Sequence, residues 1–266
     1  MVKKLIKYDL KAFAKVMIPI EAVLLGAATL FRIIQFFESD TVFYKIFAVS
    51  TGIIFGLSVA AGIILTAIVS IVRFYKNLFT AEGYLSFTLP VTPSQHVASK
   101  LIVSLIFDVI TALTIAVSLV IATSGDMLVE LVNAGLYLIR QYFSALGGHG
   151  VFFVIESVIC AVTALVAFHL ITFMCLTIGQ LAKRHKVLLA VGVYYGLYVA
   201  GQIIGTVFIA VGTISGLFAA IGGYFVEHPI PAFHITLCVS TVISLIFCAV
   251  YYLITRALMK NKLNLT

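Results

Sequence analysis

Six long stretches of this chain are almost free of charge, and they limit its fold more than any other feature. They run Val16 to Phe37, Val42 to Val72, Ser99 to Thr123, Gly150 to Leu181, Val187 to Gly212 and Ile235 to Leu258. An α-helix rises about 1.5 Å per residue, so about 20 apolar residues cross the roughly 30 Å hydrocarbon core of a bilayer. The runs are continuous rather than alternating with a period of two, which argues against a transmembrane β-barrel. Only 10% of the residues are charged, against about 25% in an ordinary soluble domain, and the mean hydropathy is +1.19. The expected fold is an all-α polytopic membrane protein, one transmembrane domain over residues 1–266 with six transmembrane helices.

The basic residues fix the expected orientation. Lys3, Lys4, Lys7, Lys11 and Lys15 precede the first run, and Arg73, Lys76 and Lys100 bracket the gap between the second and third. Lys183, Arg184 and Lys186 follow the fourth, and Arg256, Lys260 and Lys262 close the chain. On a six-span path these groups fall on one side, so the positive-inside rule puts both termini in the cytoplasm of a multi-pass cell-membrane protein. The net charge of +7 then reflects topology. Basic residues scattered over separate segments match no nucleic-acid-binding motif, and no nucleic-acid partner is expected.

Between Val187 and Val226 about 40 residues carry no formal charge, too many for one helix of about 20. Two full spans would send Arg256, Lys260 and Lys262 to the far side. The parity therefore predicts one span and then an outer re-entrant hairpin over 213–232, turned by Gly222 and Gly223 and ended by Pro229 and Pro231. Residues 1–15 predict an interfacial amphipathic helix, with Leu5, Ile6, Leu10 and Phe13 on one arc and the lysines opposite. Asp9 sits inside the apolar arc, where it calls for a polar neighbour. Residues 124–149 are too polar for a span and predict an outer interfacial segment.

The segment 73–98, RFYKNLFTAEGYLSFTLPVTPSQHVA, interrupts the membrane pattern. Phe74 to Glu82 suits about two helical turns, Gly83 suits the left-handed position that ends a helix, and Leu89-Pro90 forces an extended exit. Thr92, Pro93 and Gln95 form a capping box with proline at the first helical position, so the next helix starts there. A short helix on the cytoplasmic surface displaying Tyr75, Phe79, Tyr84 and Phe87 suits a protein contact. The same residues also suit a plain connecting loop whose aromatics dip into headgroups.

Cys160, Cys175, Cys238 and Cys248 all lie in apolar runs and suggest neither a disulfide framework nor a zinc site. Glu21, Arg32, Asp108, Glu156 and His169 lie inside spans, where an ionised group costs a few kcal/mol and calls for a partner. Depth along each span, at about 1.5 Å per residue, pairs Asp108 with His169 and Arg32 with Glu156. The apolar run that begins the membrane region holds Glu21 and Arg32 and lacks a small-residue cleavage site, so it is retained as a span.

The insert RFYKNLFTAEGYLSFTLPVTPSQ, the six spans, the basic amphipathic start and the closing KNKLNL resemble permease subunits of ABC-2 type ATP-binding-cassette transporters. The likeness covers the whole chain and is most specific over Phe74 to Gln95. It implies a cytoplasmic coupling helix between spans 2 and 3 that docks in an ATPase subunit. The implied ATPase-subunit interface is Phe74, Tyr75, Lys76, Phe79, Glu82, Gly83, Tyr84 and Phe87. It also implies a second permease subunit, a homodimer or related heterodimer, joined in part through the fifth span. That would give Gly192, Gly196, Gly201 and Gly205 a role in dimer packing, although glycines at spacings of four equally suit packing within one subunit.

No GxxxxGK[ST] phosphate loop occurs, so ATP and Mg are expected on a partner ATPase, with no cofactor, metal or catalytic residue on this chain. The expected function is export of a peptide, drug or lipid-like amphipathic substrate. The competing expectation is an ion-coupled secondary transporter using Asp108 and Glu156, which internal inverted repeats would favour. A hydrolase has little support, since neither HExxH nor GxSxG is present.

Overall fold

The computed structural model describes residues 2–37, 39–80 and 91–261. The described residues form eight helices and no strand. They are α1 (Val2–Phe36), α2 (Val42–Phe79), α3 (Pro93–Ala122), α4 (Gly125–Leu146), α5 (His149–Gly179), α6 (Lys186–Ile214), α7 (Leu217–Glu227) and α8 (Pro229–Asn261). All but α4 and α7 are long and apolar enough to cross a membrane, so the chain is a transmembrane protein with six candidate spans. By internal packing it divides into two compact units, 1–141 and 142–266.

In the first unit α1, α2 and α3 pack on one another. Contacts between α1 and α3 advance together, from Asp9–Lys100 through Phe13–Phe107 to Glu21–Thr111, so these two helices run parallel. Contacts between α2 and α3 run the other way, Ser70 to Ser104 and Thr66 to Thr111. One apolar layer gathers Phe13, Met17, Val69, Val103 and Phe107, with the Phe13 and Phe107 rings stacked at 4.4 Å. A second gathers Leu24, Ala27, Ala28, Phe55 and Ala122. The small residues let the helices approach closely where lipid supplies no hydrophobic force to join them.

Three boundaries depart from the sequence expectations. The segment 1–15 is not a separate element, because α1 continues from Val2 through Pro19 to Phe36. A membrane-type helix tolerates the missing proline N–H where neighbours re-satisfy the backbone. Residues 73–79, expected to open a new short helix, instead extend α2. Arg73 and Asn77, one helical turn apart, face α1. The third departure lies within 213–232: the chain turns at Ser215 and Gly216, where Gly216 takes φ 71°, and Gly222 and Gly223 are helical within α7. A helix ends most readily on a single glycine in the left-handed region, and Gly216 supplies it. Pro229 and Pro231 begin α8 rather than close a hairpin.

In the second unit α5 packs on α6 and α8, while α7 touches both α6 and α8. The α5–α8 seam also runs parallel, from Glu156–His234 through Cys160–Ser240 to Thr163–Cys248. The turn between α5 and α6 is tight. A Cβ on Gly179 would meet Lys186 O at 2.5 Å and Ala190 Cβ at 2.8 Å, and His185 takes the left-handed φ of 55°. α4 buries none of its residues, although Tyr142 at its end donates to Gly150 O at 3.3 Å.

Candidate functional site

The chemistry of the first unit concentrates where α1, the end of α2 and the start of α3 meet. Asp9, on the apolar face of α1, accepts from Lys100 Nζ through Oδ1 and from Ser99 Oγ through Oδ2 at 2.7 Å. Asn77 Nδ2 lies 3.5 Å from the same carboxylate. The Asp9 and Lys100 side chains are only 9% and 8% exposed, so this is a buried ion pair whose charges must offset each other. Beside it Arg73 Nη2 donates to the Ala12 carbonyl at 2.5 Å, and the Ser70 and Ser104 hydroxyls lie 2.5 Å apart. A water-sized cavity of about 10 Å³ opens among Asp9, Arg73, Asn77 and Lys100. Polar positions 70, 73 and 77 recur at three and four residues, the spacing of one helix face. This is why α2 stays helical beyond the apolar run.

Both ends of the insert are thereby held to α1. Phe74 and Leu78 are fully buried and Phe79 nearly so, with the Phe74 and Phe79 rings edge to face at 5.6 Å. Tyr75 is half-buried and Lys76 exposed. Of the residues expected to meet a partner, Phe74 and Phe79 thus anchor the insert from inside, and Tyr75 and Lys76 remain on its surface. Glu82, Gly83, Tyr84 and Phe87 lie outside the described residues. The capping chemistry at the far end is as expected: Thr92 N–H donates to Gln95 Oε1 at 3.0 Å and Pro93 opens α3.

A second polar group lies deeper in the same unit. Thr111 Oγ1 donates to Glu21 Oε1 at 2.6 Å and sits 2.9 Å from Thr66 Oγ1. Thr66 in turn lies 2.8 Å from Gly62 O, an intrahelical acceptor. Glu21 is 8% exposed, and its Oε2 is buried without a hydrogen-bond partner among the described residues. Asp108 is half-buried on α3.

The second unit carries its own cluster at the starts of α5 and α8. His234 Nδ1 lies 2.8 and 2.9 Å from the two Glu156 oxygens, and His234 Nε2 lies 3.3 Å from His149 Nδ1. Phe153 stacks on the His234 ring at 4.0 Å and 6°. His149, Phe153 and Glu156 follow one another at four and three residues, so α5 presents all three on the face that meets α8. Depth along the spans pointed Glu156 at Arg32. Within the second unit Glu156 has His234 as a partner, and within the first Arg32 donates to Gln35 at 3.2 Å and lies over the Phe36 ring at 4.6 Å. His234 is the residue that sequence reasoning missed. The signal available was parity, since the fourth and sixth spans run the same way and each carries a histidine near its start.

His169 is buried in α5 between the Phe168 and Phe173 rings. Gly192, Gly196, Gly201 and Gly205 all lie on α6 with nothing within 4 Å of a built Cβ. They make no close helix contact with the described residues of their own unit. The four cysteines are free, and no group of three or more His, Cys, Asp or Glu among the described residues is arranged to hold a metal ion. No protein-family model, curated protein or solved structure matches the chain.

Proposed function

We propose that the chain is the permease subunit of an ABC-2 type transporter in the cell membrane, with both termini cytoplasmic. A separate ATPase subunit carries ATP and Mg, and a second permease subunit completes the pathway. The cargo is an exported amphipathic molecule of the peptide, drug or lipid-like class.

One observation carries this reading. The two helices that flank the insert are tied to α1 by the buried Asp9–Lys100 pair and by Arg73 on the Ala12 carbonyl. A force applied at Tyr75, Lys76 and the residues that follow reaches α2 and α3 directly, and through those ties it reaches α1. Packed cores move between discrete arrangements rather than deforming continuously. Three tied helices therefore tilt as a set, which suits mechanical coupling to a nucleotide-driven partner. Gly192 and Gly196 on one side of α6 and Gly201 and Gly205 on the other suit the same reading, because small residues left open on a helix of the second unit are available to a second subunit.

Purification of the untagged native complex under mild detergent tests the proposal. An ATPase subunit should accompany the wild-type chain and be lost with Lys76→Glu. Proton-driven uptake by the isolated chain would instead favour a secondary transporter working through Asp108 and Glu156.

A further inference from the structure

The geometry points to a divalent transition-metal site at the starts of α5 and α8, built from His149 Nδ1 and His234 Nε2 with Glu156 as the orienting carboxylate. Two imidazole nitrogens bound at about 2.0–2.1 Å to one tetrahedral ion stand about 3.3 Å apart. The separation between these two nitrogens is 3.3 Å. That is at the weak end of hydrogen-bond distances and matches two ligands of one ion.

The surroundings are those a metal-binding histidine needs. Glu156 holds the Nδ1 side of His234 at 2.8 and 2.9 Å, which suits a proton on Nδ1 and an Nε2 lone pair directed toward His149 Nδ1. A carboxylate behind a ligating histidine fixes the tautomer and raises the basicity of the ligating nitrogen. Phe153 stacks on the same ring at 4.0 Å and stops it from turning. His149, the first residue of α5, is exposed, so its ring can rotate to aim Nδ1 at a shared ion. Glu156 acts behind His234 and is not a ligand itself, so the site offers two protein donors and leaves the remaining positions to water. Imidazole donors favour zinc, copper and nickel over magnesium and calcium. A bound ion would clip α5 to α8 where the two parallel helices begin.

The test is a Zn²⁺ titration of the full-length, tag-free chain in detergent, followed by calorimetry and by the melting temperature. Wild type should bind one equivalent saturably in the micromolar range and melt at a higher temperature as Zn²⁺ is raised. His234→Ala and His149→Gln should each abolish the saturable phase. Glu156→Gln should retain the stoichiometry and weaken affinity by about 10- to 100-fold, as expected for loss of an orienting carboxylate. Absence of saturable Zn²⁺ binding by wild type overturns the site without recourse to any variant. Equal binding by wild type and by folded His149→Gln also overturns it and leaves the two rings as a plain hydrogen-bonded pair.

Discussion

Replacing Lys100 by methionine should destabilise the chain strongly, although methionine fills nearly the same space and is the more apolar side chain. The Asp9 carboxylate is 9% exposed, and Lys100 is the cation seated on its Oδ1. Removing the lysine leaves a negative charge buried against Ser99 and Asn77. Breaking a buried pair from one side costs about 3–5 kcal/mol. Arg73 lines the same cavity and offsets part of that charge, so the lower end, about 3 kcal/mol, is expected. At about 2–4 °C per kcal/mol for a domain of this size, the melting temperature should fall by roughly 10 °C. The helical circular dichroism signal in detergent is the assay, since the chain has no tryptophan. Adding Asp9→Leu removes the stranded charge and should recover at least half of the loss. A Lys100→Met variant that melts within about 2 °C of wild type, or a double variant whose losses simply add, would refute the buried pair.

Four further outcomes follow from other parts of the fold. Phe74→Ala should cost about 3–5 kcal/mol by leaving a cavity at a fully buried site, whereas Lys76→Ala on the exposed side should leave the melt unchanged. Thr111→Val should cost about 1–3 kcal/mol by withdrawing a donor from buried Glu21, and Glu21→Gln in that background should restore part of it in the same melt. Gly179→Ala should cost at least about 1–3 kcal/mol, because its Cβ meets backbone at 2.5 Å. Gly196→Ala, with open space around it, should leave the single subunit unaffected and lower the dimer fraction on cross-linking.

The spans were legible in the sequence because twenty apolar residues leave a chain few alternatives to a membrane helix. The start of α3 was legible for a local reason, the reciprocal bonding of Thr92 and Gln95 around Pro93. Helix ends set by tertiary partners were not. α2 runs on to Phe79 because Arg73 and Asn77 reach polar groups on α1, and nothing nearby in sequence announces Asp9 as a neighbour. A glycine pair is the stronger local signal and points the turn to Gly222 and Gly223, whereas the chain turns at the single Gly216. Polar partners in the membrane were the least legible. Depth fixes how far along its helix a charge lies but leaves its direction around the helix open, so it could not single out His234 on the helix that Glu156 faces. Asp9 was an exception, since a lone carboxylate on an apolar arc already demanded a polar partner.

Site-specific photocross-linking from position 75 in intact cells tests the central claim most directly. With a photoreactive group replacing Tyr75, the account predicts an adduct to a nucleotide-binding ATPase subunit on the cytoplasmic side, diminished when Lys76→Glu is added. Adducts formed only with extracytoplasmic proteins, or labelling of position 75 by a membrane-impermeant reagent from outside, would contradict it.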